Sequence, residues 1–287
     1  MRNNQDRLGA PPAPDTPNQP VKAPVPEQES APLSFSTPTE FVDLPSKGLL
    51  YPEGHPLHKQ DTVEIGYMTA KDEDILTSQA LLRKGLALDR FLQNIIIDKK
   101  VKVNDLLVCD KNALVVKARI TGYGASYQTK ISCPACGTAQ EYEFDLDEAK
   151  IITADNLVEK GVNLNSEGHL VLLLPKTNVT VSLRMLTGKD ENQLVKNSNV
   201  KNKNADKVSH LLTNQLKTLI VSANGNTDRM FINNFVDNMP AMDSRFLRKE
   251  YAKSTPMIDL TQLFGCSECY FEKDMEVPFT SDFFWPN

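Results

Sequence analysis

The sequence predicts a mixed α+β fold: a helix-rich body with small β-hairpin elements around a four-cysteine zinc site, preceded by a disordered Pro-rich tail. Three observations predict it. Two Cys-x-x-Cys pairs, Cys133-Pro134-Ala135-Cys136 and Cys266-Ser267-Glu268-Cys269, hold four of the five cysteines, and each sits where a turn would join two alternating segments. Several other stretches repeat their apolar residues at helical spacing. Nine of the eighteen prolines lie at or before Pro38, among Ala, Gln, Ser and Glu, a composition that cannot bury enough surface to offset its ordering entropy. The expected division is a disordered tail over residues 1–39 and one folded domain over residues 40–287.

The domain opens with Glu40 to Pro52. Pro45, Gly48, Pro52, Gly54 and Pro56 impose turn and extended geometry, with Phe41, Leu44, Leu49, Leu50 and Tyr51 as anchors. This pattern predicts an arm laid across a surface. A strand over 62–68 follows. Thr69 then opens a helix with Asp72 and Glu73 in its first turn, carrying Ile75, Leu76, Ala80 and Leu82 and ending at Gly85. A second helix spans 88–97 with Phe91, Leu92, Ile95 and Ile96, and residues 104–119 form one or two more around Asp110-Lys111-Asn112. Residues 126–131 and 140–144 alternate as the arms of a hairpin.

Beyond it, strands are expected over 170–174 and 180–185, and Thr187 caps a helix with acids in its first turn. Asn197 to Asn204 reads as an exposed loop. Val208, Leu211, Leu212, Leu216, Leu219 and Ile220 line one face of an amphipathic helix, and Phe231, Phe235 and Val236 imply another. Asp243 caps a last helix over 244–252 with Leu247 inward, and Pro256 blocks its continuation. Strands near 257–263 and 275–279 flank the second Cys pair. Of Phe283, Phe284 and Trp285 at the end, packing into the core is preferred over docking on a neighbour.

A C-x2-C turn presents two thiolates from one loop, and two such loops meeting give a closed tetrahedral site for structural Zn2+. Cys133, Cys136, Cys266 and Cys269 are the expected ligands. Residues 137–265 separate the pairs, so the metal would tie distant parts of one domain together. A thioredoxin-like redox pair, a disulfide or idle thiols are the alternatives; the redox motif places its first cysteine at a helix N-terminus, whereas Gly137 follows Cys136 at once, as in a zinc knuckle. Cys109, in an apolar run, reads as a small buried residue.

With 287 residues, 40% hydrophobic and 24% charged, the chain can bury one large core or two smaller ones. A net charge of -5 and a pI near 5.5 argue against nonspecific nucleic-acid binding, which wants a basic footprint. Lys196, Lys201, Lys203 and Lys207 form a basic patch, but among asparagines it reads as solvated loop. No apolar run reaches the length of a membrane span. The N-terminus leads into prolines rather than an apolar stretch, so no secretory signal is expected, and a reducing cytoplasm would keep the thiolates free. There is no nucleophile elbow, phosphate loop or HExxH motif. His55, His58, His169 and His210 are scattered, and His55 and His58 beside Pro56 read as solvent-facing. Four thiolates would also leave zinc no open position for a substrate water, so no enzyme is expected.

Taken in order, Phe41-Val42-Asp43-Leu44-Pro45-Ser46-Lys47-Gly48 with Tyr51-Pro52, Ala118-Arg119-Ile120 with Tyr123-Gly124, Cys133 to Gly137, Asp243-Ser244-Arg245 with Leu247-Arg248, Pro256 to Asp259 and Phe283 to Pro286 resemble the T4-type bacteriophage baseplate family, which includes hub subunits and hub assembly factors of contractile-tailed phages. The resemblance covers about residues 40–287. It implies a late, virion-assembly protein whose partners are other baseplate and tail proteins, acting in the host cytoplasm during assembly or in the virion tail, with no known catalytic reaction; no membrane and no small-molecule substrate are expected. Some relatives look shorter and lack one or both CxxC pairs, so the zinc expectation rests on the residues of this chain. The apolar arm from Phe41 to Tyr51 and the aromatic end suit protein contacts. The alternative is a zinc-ribbon nucleic-acid-binding protein, against which the acidic balance stands.

Overall fold

The computed structural model describes residues 37–159, 161–201, 211–278 and 283–284. Of the expected tail, residues 1–36 lie outside the described residues, as do Lys203, Lys207, Val208, His210 and Trp285.

Strand β1 (Thr39–Asp43) pairs antiparallel with β2 (Thr62–Gly66), Val42 opposite Val63. The chain between them is not laid over a surface. Leu44, Leu50, Tyr51 and Leu57 are buried in the core, while Phe41 and Leu49 face out. The buried turn at Pro45 to Gly48 causes this. Ser46 donates to the Asp110 carboxyl from its N–H (2.9 Å) and its hydroxyl (2.6 Å), and the Tyr51 hydroxyl donates to the same group at 2.8 Å. Gly48 has φ +68°, and a Cβ there would lie 2.4 Å from Gln60 N, so only glycine fits. His55 stacks on the Tyr51 ring at 4.3 Å, and His58 Nδ1 lies 2.8 Å from the Tyr51 carbonyl oxygen. Both histidines are half-buried parts of this turn, not solvent-facing groups.

Thr69 opens α1 (Ala70–Thr77) with a capping box closed by Asp72. The expected single run breaks at Ser78, whose backbone is extended, into α1 and α2 (Gln79–Lys84), which Gly85 ends in the left-handed conformation. Helix α3 (Ala87–Ile95) buries Phe91, Leu92 and Ile95. After a 3-10 turn at Val103–Asp105, α4 (Val108–Tyr123) runs unbroken through Asp110 and Lys111. These charges do not interrupt it because both are buried and partnered: Lys111 Nζ lies 2.9 Å from Asp89 and 3.0 Å from Glu191. Arg119, also in α4, is 1% exposed. It donates to the backbone carbonyls of Gly124 (2.6 Å), Ser126 (3.1 Å) and Phe283, and its guanidinium sits over the Tyr123 and Tyr127 rings. Phe283 and Phe284 thus pack inward, as expected.

Strands β3 (Ser126–Ser132) and β4 (Ala139–Asp145) form the first Cys hairpin, with Tyr127, Thr129 and Ile131 on its buried face. Then come β5 (Lys150–Ile152), α5 (Ala154–Glu159), β6 (Leu170–Leu173), β7 (Thr180–Leu183), α6 (Gly188–Lys201), α7 (Leu211–Leu219), β8 (Ile220–Ala223), α8 (Arg229–Asp237) and α9 (Ala241–Lys253). An antiparallel sheet in the order β6-β7-β8 and helices α7, α8 and α9 enclose a second core around Val181, Leu216, Ile232 and Leu247. Strand β9 (Met257–Asp259) returns to pair with β5, so residues 153–256 are an insertion closed at its base. Strands β10 (Thr261–Gly265) and β11 (Glu272–Glu276) form the second Cys hairpin. The expected strand over 257–263 is therefore two, divided at buried Leu260.

Three further expectations change. Helix α6 continues to Lys201, through the first part of the Asn-rich stretch expected as loop, and residues 202–204 lie outside the described residues. In α7, Leu216 and Leu219 point in, Leu211 and Leu212 face out, and Ile220 passes into β8. Asp243 does not cap α9, which starts at Ala241 after Pro240. Its buried carboxylate instead accepts from Lys176 N (2.8 Å), Thr177 N (3.1 Å) and the Thr177 hydroxyl (2.8 Å), closing the β6–β7 turn. Among the described residues no helix is long and apolar enough to cross a membrane.

The α6 cap sets an acid limit on stability. Asp190 accepts from Thr187 N at 2.9 Å and from both Arg184 amines at 2.6 and 2.8 Å. Burial pushes its pKa up, but Arg184 and Thr187 outweigh burial and hold it at about 2, below its ordinary 3.8. A depressed carboxylate contributes stability that is fully present above pH ~4 and lost as pH falls toward ~2. Melting curves of Asp190→Asn should therefore be flatter than wild type between those pH values; parallel curves would deny Asp190 this role.

Candidate metal centre

The two hairpins bring their turns together. Residues 133–138 and 266–271 have the same backbone plan. Cys133 N donates to Thr138 O and Gly137 N to Cys133 O, while Cys266 N donates to Phe271 O and Tyr270 N to Cys266 O. The fifth residue of each turn has positive φ, +76° at Gly137 and +57° at Tyr270. Each knuckle buries its first cysteine, Cys133 or Cys266, and exposes its second, Cys136 or Cys269.

All four sulfurs lie within 4.8 Å of one another. Across the knuckles, Cys133 Sγ is 3.7 Å from Cys269 Sγ, and Cys136 Sγ is 3.8 Å from Cys266 Sγ. A tetrahedral zinc with Zn–S bonds of about 2.3 Å has S···S edges of about 3.8 Å. Those two separations match that edge and far exceed the roughly 2.05 Å of a disulfide bond. Neither pair opens a helix, so the thioredoxin arrangement is absent from both. The donor set, four soft thiolates with Ala135 N–H 3.4 Å from Cys133 Sγ, fits Zn2+.

The electrostatics of the cluster favour a dication. Thr138, through its hydroxyl and backbone, draws the Cys136 thiol down to about 6. At Cys269 the Phe271 backbone bond lowers the pKa, but desolvation and the three neighbouring cysteines outweigh it and push the thiol up to about 12. One thiolate thus forms readily and a later one is opposed, a conflict that a shared cation relieves.

Side chains the sequence did not mark for chemistry join the hairpins. Gln140 Nε2 donates to Gly265 O at 3.0 Å, and its Oε1 accepts from Ser267 N and Oγ at 3.1 and 3.2 Å. The Tyr142 hydroxyl donates to Leu263 O at 2.9 Å. The signal for Gln140 was its parity: opposite Ile131 in the ladder, it is a polar residue on the hairpin's inward face.

The Leu44 to Gly48 turn seats on Asp110, Arg119 ties Gly124 to Phe283, and Asp243 closes a turn of the insertion. A family model described as T4 bacteriophage base plate protein matches residues 39–285. The chain belongs to that family. No curated protein and no solved structure matches it. Membership in a T4-type baseplate family associates the protein with the virion tail and with other tail and baseplate proteins. In this baseplate protein the match includes both Cys hairpins and the whole insertion.

Proposed function

We propose that the protein is a non-enzymatic baseplate hub protein of a contractile phage tail, either a stoichiometric subunit or an assembly factor, acting through protein–protein contacts. Cys133, Cys136, Cys266 and Cys269 hold one structural zinc ion in it, and the domain begins at Thr37, slightly before the expected residue 40, because Thr39 already pairs with Gly66 in β1. The observation that carries the baseplate reading is the family match over nearly the whole chain; the four-thiolate cluster supports the zinc. When bound, zinc supplies a closed tetrahedral cross-link and no coordination position for a substrate. The protein's own residues orient the thiolates through the paired knuckles and exclude water from Cys133 and Cys266 by burying them. Assembly takes place in the host cytoplasm.

The test uses the full chain as bait in phage-infected cells, paired with a salt-titrated nucleic-acid binding assay. Recovery of tail or baseplate proteins is the expected result. Tight binding to nucleic acid that falls steeply with salt, without those partners, would replace this reading by the zinc-ribbon alternative. Mass spectrometry of purified virions then separates the two roles, since a subunit appears at fixed copy number and an assembly factor does not. Tyr51 is unsuited to probing the partner surface because it lies in the core; Leu263 and Tyr270, at 58% and 86% exposed, are the better positions.

A further inference from the structure

We propose that Gln140 is the positioning residue of the metal centre, a carboxamide clamp that assembles the second knuckle against the first before metal arrives. The inference rests on the four-cysteine zinc reading. Its basis is that the Gln140 side chain bonds both chain neighbours of one ligand: its amide donates to the carbonyl of Gly265, and its oxygen accepts from the backbone and hydroxyl of Ser267. Cys266 lies between them, its sulfur 3.8 Å from that of Cys136. Peptide planes held on both sides fix the direction in which the thiol points.

The chemistry requires glutamine. Its terminal group offers a donor and an acceptor at once, matching one carbonyl and two donors; glutamate offers acceptors only, would face the Gly265 oxygen unfavourably and would add charge beside thiolates. The clamp is also one-sided. Lys273, which stands seven residues after Cys266 as Gln140 does after Cys133, is exposed, so the burden of alignment falls on Gln140. Thiolates repel one another without a metal, and a bond network that holds them together in the apo chain lowers the reorganisation that binding requires.

The experiment is zinc competition against a chromophoric chelator, on the full chain, for wild type, Gln140→Ala, Gln140→Glu and Tyr142→Phe. Tyr142→Phe removes another bond between the same hairpins, the one to Leu263 O, away from Cys266. Gln140→Ala and Gln140→Glu should weaken zinc by about 10- to 100-fold, the usual range for residues that orient metal ligands, and Tyr142→Phe by no more than about 3-fold. Co2+ substitution should show a tetrahedral thiolate spectrum in wild type and shifted bands in Gln140→Ala. In the apo chain the Ser267 amide should exchange faster in Gln140→Ala than in wild type. Wild type that binds zinc with four thiolates while Gln140→Ala matches Tyr142→Phe in affinity and spectrum would overturn the clamp alone. Wild type that binds no zinc would overturn the metal reading beneath it, and the clamp with it.

Discussion

Chelating the metal from the purified protein should lower its melting temperature by about 10 °C or more and expose the chain beyond residue 260 to protease. A ligand bound only by the folded state stabilises it by about 4 kcal/mol when present at a thousandfold excess over its Kd, and a domain of this size shifts by roughly 2–4 °C per kcal/mol. The effect is large because the cluster joins hairpins on either side of the insertion, with residues 137–265 between them. It is bounded because two apolar cores also hold the fold, the larger of them including Cys133 and Cys266; the apparent 10–16 kcal/mol of small zinc domains is an upper guide, since those domains have little else to hold them. Metal analysis should find about one zinc per wild-type chain and a loss of it in Cys266→Ser. Identical melts with and without chelator, or zinc undiminished in that variant, would rule out a four-thiolate structural site.

The Cys hairpins were legible because everything that specifies them is local. Period-2 alternation in residues 126–131 and 140–144 fixes which side chains face in, and a Cys-x-x-Cys turn with a positive-φ residue after it closes within six residues. The Thr69 and Thr187 caps were legible for the same reason, since the side chain that answers each is three residues away. What the sequence concealed is nonlocal. Strand β5 is three residues long, too short to show a period, and its pairing with β9, part of the strand expected over 257–263, spans the insertion. Asp243 resembles an N-cap by type and position, yet its partners are Lys176 and Thr177, in a turn of another strand pair. Arg119, inside an otherwise apolar helix face, could not be placed until the carbonyls of Gly124, Ser126 and Phe283 converged on it. The metal cluster itself lay between these cases: its ligands were evident from spacing, but Gln140 was recognisable only as a polar residue of inward parity.

The second large effect is expected at Asp110. Its carboxyl is fully buried and accepts from Ser46 N, the Ser46 hydroxyl and the Tyr51 hydroxyl, and Leu107 N donates to the same Tyr51 oxygen at 3.1 Å. The group therefore holds the Pro45 to Tyr51 turn against α4, with the buried Leu44 and Leu50 side chains following from that anchorage. Burial pushes the Asp110 pKa up, and the Ser46 and Tyr51 donors only partly pull it back. For a raised carboxyl the sign is unfavourable to high pH: its contribution is complete below the ordinary carboxylate value and declines as pH rises through the folded one. Asp110→Ala leaves three buried donors without their acceptor, which costs roughly 3–5 kcal/mol and should lower the melting temperature by about 10 °C at pH 7. Tyr51→Phe removes one donor, keeps the ring on His55 and should cost about 1–3 kcal/mol, mostly through the unpaired Leu107 N–H. The two variants together should cost less than their sum, because they share the Tyr51–Asp110 bond. Thermal melts of the three variants decide the matter: an Asp110→Ala protein melting within about 2 °C of wild type would mean that the turn is held by its apolar residues, and that the carboxyl at its centre is dispensable.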